Sequence, residues 1–263
     1  MRRSDGGFIS RLERFARLDS TQRVVARWLA EGTPEVALAV ADEQSAGRGR
    51  HGRSWTAPPG AALLLSLGLR PPGLPLRHGW RLAAVVGLAM AEAAEQLAGL
   101  PQGSIGLKWP NDLVAVGGDG EPRKLAGVLG ETSAEGDRVA AAVVGIGVNV
   151  DWARDDFPPQ LADGMTSLRE LSGAPVDREA LLAAFLERLE PAYRALTAGR
   201  FDGERWAARQ VTTGRRVEVA TGPGESSVCE ALGVDTESGA LIVIGAGERR
   251  TIDSGEVVRC RIA

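Results

Sequence analysis

Between residues 78 and 98 the chain reads HGWRLAAVVGLAMAEAAEQLA, with small or apolar side chains at most positions. A helix of this make-up has no broad wet face, so it must be buried on most sides. Its core, Leu82–Ala94, is interrupted by Glu92 and is too short to span a bilayer. Strand-like runs surround it: Phe15–Leu18, Val36–Glu43, Ala62–Leu69, and about 105–108, 112–116, 124–132 and 138–148. Ser20 or Thr21 caps a helix over 21–31, closed by Gly32 and Pro34. Helix 177–197 is amphipathic, with Leu182, Phe185, Leu186, Leu189, Tyr193 and Leu196 at helical spacing. A short helix covers 202–209. Residues 1–13 read as a polar tail, and 45–60 and 151–159 as loops. After Gln210 the pattern changes to short strands with Gly-rich turns. These observations predict an α+β domain over 1–210 and a small β domain, barrel-like, over 211–263.

The 263 residues are 44% hydrophobic and 25% charged, enough for a sizeable core. That argues against a disordered, fibrous or disulfide-stapled chain. The net charge of -3 does not advertise nucleic-acid binding over the whole surface. The distribution is uneven: from Gln44 to Ala91 there is no Asp or Glu, but six arginines and both histidines. This predicts a local anion site. Two cysteines, Cys229 and Cys260, with no Cys/His cluster, argue against structural zinc and suit a reducing compartment. No signal-peptide pattern follows Met-Arg-Arg, so a cytoplasmic location is expected.

Gly47-Arg48-Gly49-Arg50-His51-Gly52 matches G-x-G-x-x-G. A dinucleotide fold needs a helix opening on that loop and an acid about 20 residues on. Ser54-Trp55-Thr56-Ala57-Pro58-Pro59-Gly60 cannot continue as a helix, and no carboxylate lies near residue 72. That reading is rejected. Arginines spaced by glycines instead give forked donors on a backbone that approaches a ligand closely. Such a loop makes few apolar contacts of its own and is expected to order around an anion. Trp55 adds a flat face for a base or an apolar ring. A nonspecific RNA-touching loop and a merely solvated one are the competing readings.

Of 31 basic residues only two are lysines, Lys108 and Lys124, a scarcity that codon bias explains. Lys108-Trp109-Pro110-Asn111-Asp112 follows one predicted strand. Lys124-Leu125-Ala126-Gly127-Val128-Leu129 opens another, and Gly145-Ile146-Gly147-Val148-Asn149 ends a third. Singly, each has an ordinary structural reading: a core Trp, an Asn-Asp turn, glycines for close packing.

In order with Ser20-Thr21, Gln44 and the Gly/Arg loop, these motifs resemble the biotin–protein ligases. The resemblance covers about residues 15–170 by motif. It implies a class II synthetase-like catalytic domain, a mixed or antiparallel sheet with flanking helices, followed by a small SH3-like β-barrel. It implies that biotin and MgATP form biotinyl-5'-AMP, and that biotin then passes to a lysine of a biotin carboxyl carrier protein. By the same resemblance Ser20, Thr21, Gln44, Gly47, Arg48, Arg50, Lys124, Gly127 and Gly147 bind biotin. Arg50, Arg53, Trp55, Lys108, Asn111, Lys124 and Asn149 bind ATP. Lys124, Arg50 and Asp112 are the catalytic candidates. A compact ammonium at Lys124 suits the junction of a carboxylate and an α-phosphate. Asp112 either orients or deprotonates the acceptor amine, or ligates Mg²⁺.

Three departures stand out. Gln22 occupies a position where many family members carry Asn, His51 stands where an Arg is frequent, and Gly117–Arg123 lengthens a hairpin. The chain ahead of Ser20 is too short for a helix-turn-helix domain, so no repressor role and no DNA partner are expected. A monomer or weak homodimer without a membrane partner is expected. The alternatives are a lipoate–protein ligase and a nucleic-acid-binding module. Against the latter, the basic stretch lacks interleaved aromatics.

Overall fold

The computed structural model describes residues 7–116, 120–222 and 224–262. Seven strands form the first sheet, in the order β1-β2-β3-β7-β6-β5-β4. They are β1 (Arg11–Phe15), β2 (Ala37–Ala41), β3 (Ala62–Leu69), β4 (Ile105–Lys108), β5 (Asp112–Val116), β6 (Pro122–Glu135) and β7 (Arg138–Asn149). β1 and β2 run parallel, and every other neighbouring pair is antiparallel. The helices are α1 (Thr21–Ala30), α2 (Trp80–Leu97), α3 (Pro159–Ala162), α4 (Leu168–Ser172), α5 (Arg178–Thr197) and α6 (Gly203–Ala208).

The run ALAVA of β2 is apolar at every position because both faces are covered. Leu38 and Val40 join the main core with Val86 and Met90 of α2 and Leu182, Phe185 and Leu189 of α5. Ala37 and Ala39 face the other way and pack under Val25, Trp28 and Leu29 of α1. A Cβ on Gly68 would lie 2.8 Å from Val25 Cγ1, so small residues let α1 sit close to the sheet. The long apolar helix is thus buried as its composition requires.

The segment after Gln210 is a separate five-stranded antiparallel sheet, ordered β11-β10-β9-β8-β12. Its strands are β8 (Arg215–Gly222), β9 (Glu225–Val234), β10 (Leu241–Gly245), β11 (Glu248–Ile252) and β12 (Glu256–Ile262). Val217, Val219, Leu241, Val243 and Val257 form its core. Trp109, from the β4–β5 turn of the first sheet, is buried in that same core. Its indole Nε1 donates to Gly239 O at 3.0 Å. The buried Glu95 of α2 accepts from Arg209 Nη1 at 2.5 Å and from the Gly103 and Ile105 amides at 2.9 Å. This pair anchors the chain where it crosses between the sheets. Cys229 and Cys260 are buried free thiols.

Three expectations need correction. The first strand is Arg11–Phe15 rather than Phe15–Leu18, and it takes in part of the stretch read as tail. As an edge strand it pairs through its backbone and needs no apolar face. The loop after Asn149 carries short helical segments at 154–156, 159–162 and 168–172, too brief to show periodicity. β6 runs over Pro122–Glu135, two residues earlier and three later than expected. Residues 1–6 of the tail and 117–119 of the lengthened hairpin lie outside the described residues.

Candidate active site

On the face of the sheet that carries α1, the positions beyond that helix have almost no side chains. Strand alternation sends Leu65, Ile146 and Val128 into the main core. Ser66, Gly145, Gly147 and Gly127 therefore line the opposite face. They floor a small pocket walled by Ser20, Thr21, Gln22, Gln44, Arg48 and Trp55. Ser20 and Thr21 reach it because α1 begins there, with Ser20 as its extended N-cap residue. Thr21 N donates to Gln44 Oε1 at 2.8 Å, and Thr21 Oγ1 lies 2.7 Å from Ser66 Oγ. Gln22 Nε2 donates to Leu129 O at 3.0 Å. Polar groups are thus fixed on one wall, over a floor that a planar ligand can approach.

The floor already carries a ring. A Cβ on Gly147 would lie 2.6 Å from Trp55 Cε2, and one on Gly127 3.2 Å from Trp55 Cζ3. Trp55 Nε1 is buried and has no hydrogen-bond partner among the described residues. Gly47 packs against the Trp55 backbone: a Cβ there would meet Trp55 O at 2.2 Å, and Trp55 N donates to Gly47 O at 3.0 Å.

Lys124 reaches this face through a β-bulge. Asp112 pairs with Gly127 and Leu113 with Ala126, but Val114 pairs with Lys124, so Leu125 is skipped. Without the extra residue, Lys124 would point to the opposite face from Gly127. With it, Lys124 Nζ comes 2.7 Å from Asp112 Oδ1 and sits 5.5 Å from the centre of the Trp55 ring. The same ammonium is 3.3 Å from the Cβ position of Gly127 on the pocket floor. Its main chain is held by a short parallel bridge: Lys124 N donates to Gly164 O at 2.7 Å and Thr166 N to Lys124 O at 2.9 Å.

On its other side Lys124 lines a cleft of about 510 Å³ with Arg53, Lys108, Asp112, Glu256 and Arg259. Lys108 lies directly across the β4–β5 turn from Asp112. Four cations face three carboxylates, Asp112, Glu121 and Glu256, across the cleft, which opens between the two sheets; the small surplus of positive charge suits an anion.

The arginine loop is held by charge rather than by apolar packing. Arg48 Nη2 is 2.8 Å from Glu131 Oε1 on β6. Arg53 pairs with Glu256 at the start of β12, and Arg50 Nη1 donates to Gly255 O at 3.0 Å. Burial draws the Arg50 guanidinium below its ordinary pKa, against the attraction of Glu256 and Asp112. A buried cation in that condition favours an anionic ligand. Between these arginines His51 takes φ 55 and Gly52 φ 74, the left-handed region that reverses the chain.

Ser20, Thr21, Gln44, Arg48, Gly127 and Gly147 therefore share the pocket, while Arg53, Lys108, Asp112 and Lys124 share the cleft. Gly47 packs against the backbone of Trp55. Arg50 and Asn111 line a third cavity, between α2, the β4–β5 turn and the second sheet. Asn111 Nδ2 donates to Val128 O at 2.8 Å, which fixes that turn. Asn149 is fully buried, lines none of these cavities, and donates to Thr166 O at 3.0 Å; its Oδ1 has no partner among the described residues. Among the described residues no group of three or more Asp, Glu, His or Cys side chains is placed to hold a metal ion. No cluster of donors surrounds Asp112, so the described residues do not fit a resident metal.

Ser66, Glu131, Gly255 and Glu256 join the site without having been expected there. Ser66 had one signal, a polar residue inside the apolar run of β3. The others are surface carboxylates and a turn glycine whose partners lie far away in sequence.

A family profile described as biotin/lipoate A/B protein ligase family matches residues 14–149. Another, biotin protein ligase C terminal domain, matches residues 212–259. A biotin--[acetyl-CoA-carboxylase] ligase of Paracoccus denitrificans is 37% identical over 257 residues, covering 92% of this chain and 98% of its own. One of Mycobacterium tuberculosis is 34% identical over 224 residues, covering 84% of this chain and 78% of its own. The solved biotin protein ligase of Aquifex aeolicus in complex with biotin and ATP is similar at TM-score 0.76 and 27% identity, covering 96% of this chain and 99% of that one.

Proposed function

The chain belongs to the biotin/lipoate A/B protein ligase family, and from that premise we propose which of its residues carry the reaction. The enzyme is a biotin--[acetyl-CoA-carboxylase] ligase. It activates biotin with ATP to biotinyl-5'-AMP and transfers the biotinyl group to a lysine of a carrier domain. The C-terminal profile is that of biotin ligases, which favours biotin over lipoate.

In our reading the glycine-floored pocket takes the bicyclic ring of biotin. Ser20, Thr21, Gln44 and the backbone at Arg48 hydrogen-bond its ureido group, whose burial is otherwise costly. The valeryl carboxylate then points past Gly127 toward Lys124. ATP lies in the cationic cleft, with Arg53 and Lys108 on its phosphates and Arg50 and Asn111 beside them in the adjoining cavity; Trp55 turns toward the nucleoside once it leaves the pocket floor, and Asn149 supports the site from behind through Thr166. Mg²⁺ enters with ATP as the substrate's own counter-ion.

One juxtaposition supports this reading most directly: the Lys124 ammonium stands between the pocket and the cleft. Two anions must meet there for the carboxylate to attack the α-phosphorus and expel pyrophosphate. A fixed point charge offsets their repulsion and stabilises the charge that builds on the oxygens. Asp112 sets the position of that ammonium. In the second half-reaction an acceptor lysine must attack as a neutral amine, a form present at about one part in a thousand near pH 7.4. Asp112, at the mouth of the cleft, orients that amine and takes its proton.

We take residues 1–210 as the catalytic unit and 211–263 as a smaller unit that holds the arginine loop through Gly255 and Glu256. No helix among the described residues is long and apolar enough to cross a membrane. A cytoplasmic location and a monomer or weak homodimer complete the proposal. Labelled biotin with ATP and a carboxylase carrier fragment tests it. The expected result is biotin fixed on one carrier lysine, with no competition from excess lipoate. Competition by lipoate at equal concentration would overturn the substrate assignment.

A further inference from the structure

We propose that Trp55 is a plug of the biotin pocket, an internal competitor that must leave before the ligand can enter. The inference rests on the assignment of that pocket to biotin. Its indole lies over Gly127 and Gly147, the two glycines that give a ring access to the floor. Beside the indole only about 30 Å³ of the pocket remains free, room for a water or two. Small-molecule sites ordinarily offer about 300 Å³ or more. Biotin and this conformation of Trp55 therefore exclude each other.

The plug is built to yield. Burial of an aromatic face on a glycine floor favours the closed form, and the Lys124 ammonium 5.5 Å from the ring centre adds a cation–π attraction. Against that, Trp55 Nε1 is buried with no hydrogen-bond partner among the described residues. A ring that leaves a buried donor unsatisfied is at a disadvantage against one that satisfies every donor and acceptor on the wall. A ureido ligand does the latter, because its carbonyl and two N–H groups match the Ser20, Thr21 and Gln44 side chains. The closed form also occupies Lys124, so the adenylation cation is tied to Asp112 and Trp55 until biotin arrives.

The plug lowers the apparent association rate of biotin by the fraction of molecules that are open. A residue that merely grips bound biotin would, once truncated, raise the dissociation rate instead. Stopped-flow binding of biotin without nucleotide separates the two. For the wild-type chain the observed rate is expected to level off with rising biotin, at the rate of plug opening. For Trp55→Ala it should rise linearly, with an association rate at least about tenfold higher; Trp55→Phe should fall between. An association rate for Trp55→Ala equal to or below wild type overturns the plug. Absence of any biotin binding by the wild-type chain overturns the pocket assignment itself. A second readout needs no loss of function. In 5-fluorotryptophan-labelled protein, the ¹⁹F resonance assigned to Trp55 through Trp55→Phe should shift when biotin is added, and a resonance that stays put contradicts the proposal.

Discussion

The Lys124 ammonium and the Asp112 carboxylate lie 2.7 Å apart on one face of the sheet, and only the skipped residue Leu125 puts them there. Both are mostly buried, with 30% and 19% of their side-chain surface exposed. The pair fixes a positive charge at the mouth of the glycine-floored pocket, where the two substrates are brought together.

Asp112→Asn keeps the shape of the side chain and removes its charge. Transfer from preformed biotinyl-5'-AMP to a carrier fragment should slow by about 10²-fold or more, the usual contribution of a positioned acid or base. Adenylation should fall too, because Lys124 loses its counter-ion. Single-turnover transfer measures the first effect, and unchanged transfer would remove Asp112 from the second half-reaction.

Gly147→Ala places a methyl group on the pocket floor. Overpacking there costs about 1–3 kcal/mol, equivalent to about a 5- to 150-fold loss of affinity. Steady-state kinetics should show KM for biotin rising within that range while KM for ATP changes little. A biotin KM within twofold of wild type would place the ring elsewhere.

How far these positions are visible in the sequence depends on how local their causes are. Ser20-Thr21, the glycines of Gly145–Gly147 and Lys108–Asp112 announce themselves because a cap, a bare strand face and a tight turn are short-range devices. The buried helix at 80–97 is legible for the same reason: its composition leaves no wet side. Trp109 reads as core, but not as core of the second sheet, since its partners Val217 and Leu241 lie more than a hundred residues away. The ion pair of Arg53 with Glu256 spans 203 residues between two exposed-looking polar segments. No periodicity encodes it. The bulge at Leu125 is silent for another reason, because KLAGVL reads as a plain strand whichever face Lys124 takes.

Glu256 gives the arginine loop a pH dependence. Burial alone would raise its pKa, but the Arg53 hydrogen bond and charge outweigh that and hold it below the ordinary 4.5. The ion pair is therefore complete at neutral pH and breaks only as the pH falls through that lowered value. Amide hydrogen exchange in residues 47–53 should be faster for Glu256→Gln than for wild type at neutral pH. The two should converge only on acidification below the ordinary carboxylate range. Equal exchange at neutral pH would show that Glu256 does not hold the loop.

Glu95 and Arg209 form the most buried ion pair between α2 and the chain leading to β8, with 5% and 10% of their side chains exposed. Glu95→Ala leaves the buried guanidinium with the more distant carboxylate of Glu92, 3.9 Å away, a loss of about 3 kcal/mol. At this chain length that corresponds to a fall in Tm of about 10 °C. Calorimetry checks it, and a shift of less than about 2 °C would mean that Glu92 takes over as the partner of Arg209.

Biotin-dependent exchange of labelled pyrophosphate into ATP, measured for the wild-type chain and Lys124→Ala, tests the central role of Lys124 most directly. Exchange by the wild type is expected only when biotin is present. The variant should lose at least about 10²-fold, the scale of one missing charge-stabilising group, with its thermal transition retained. Near-normal exchange by a folded Lys124→Ala enzyme would contradict the placement of the adenylation charge at Lys124.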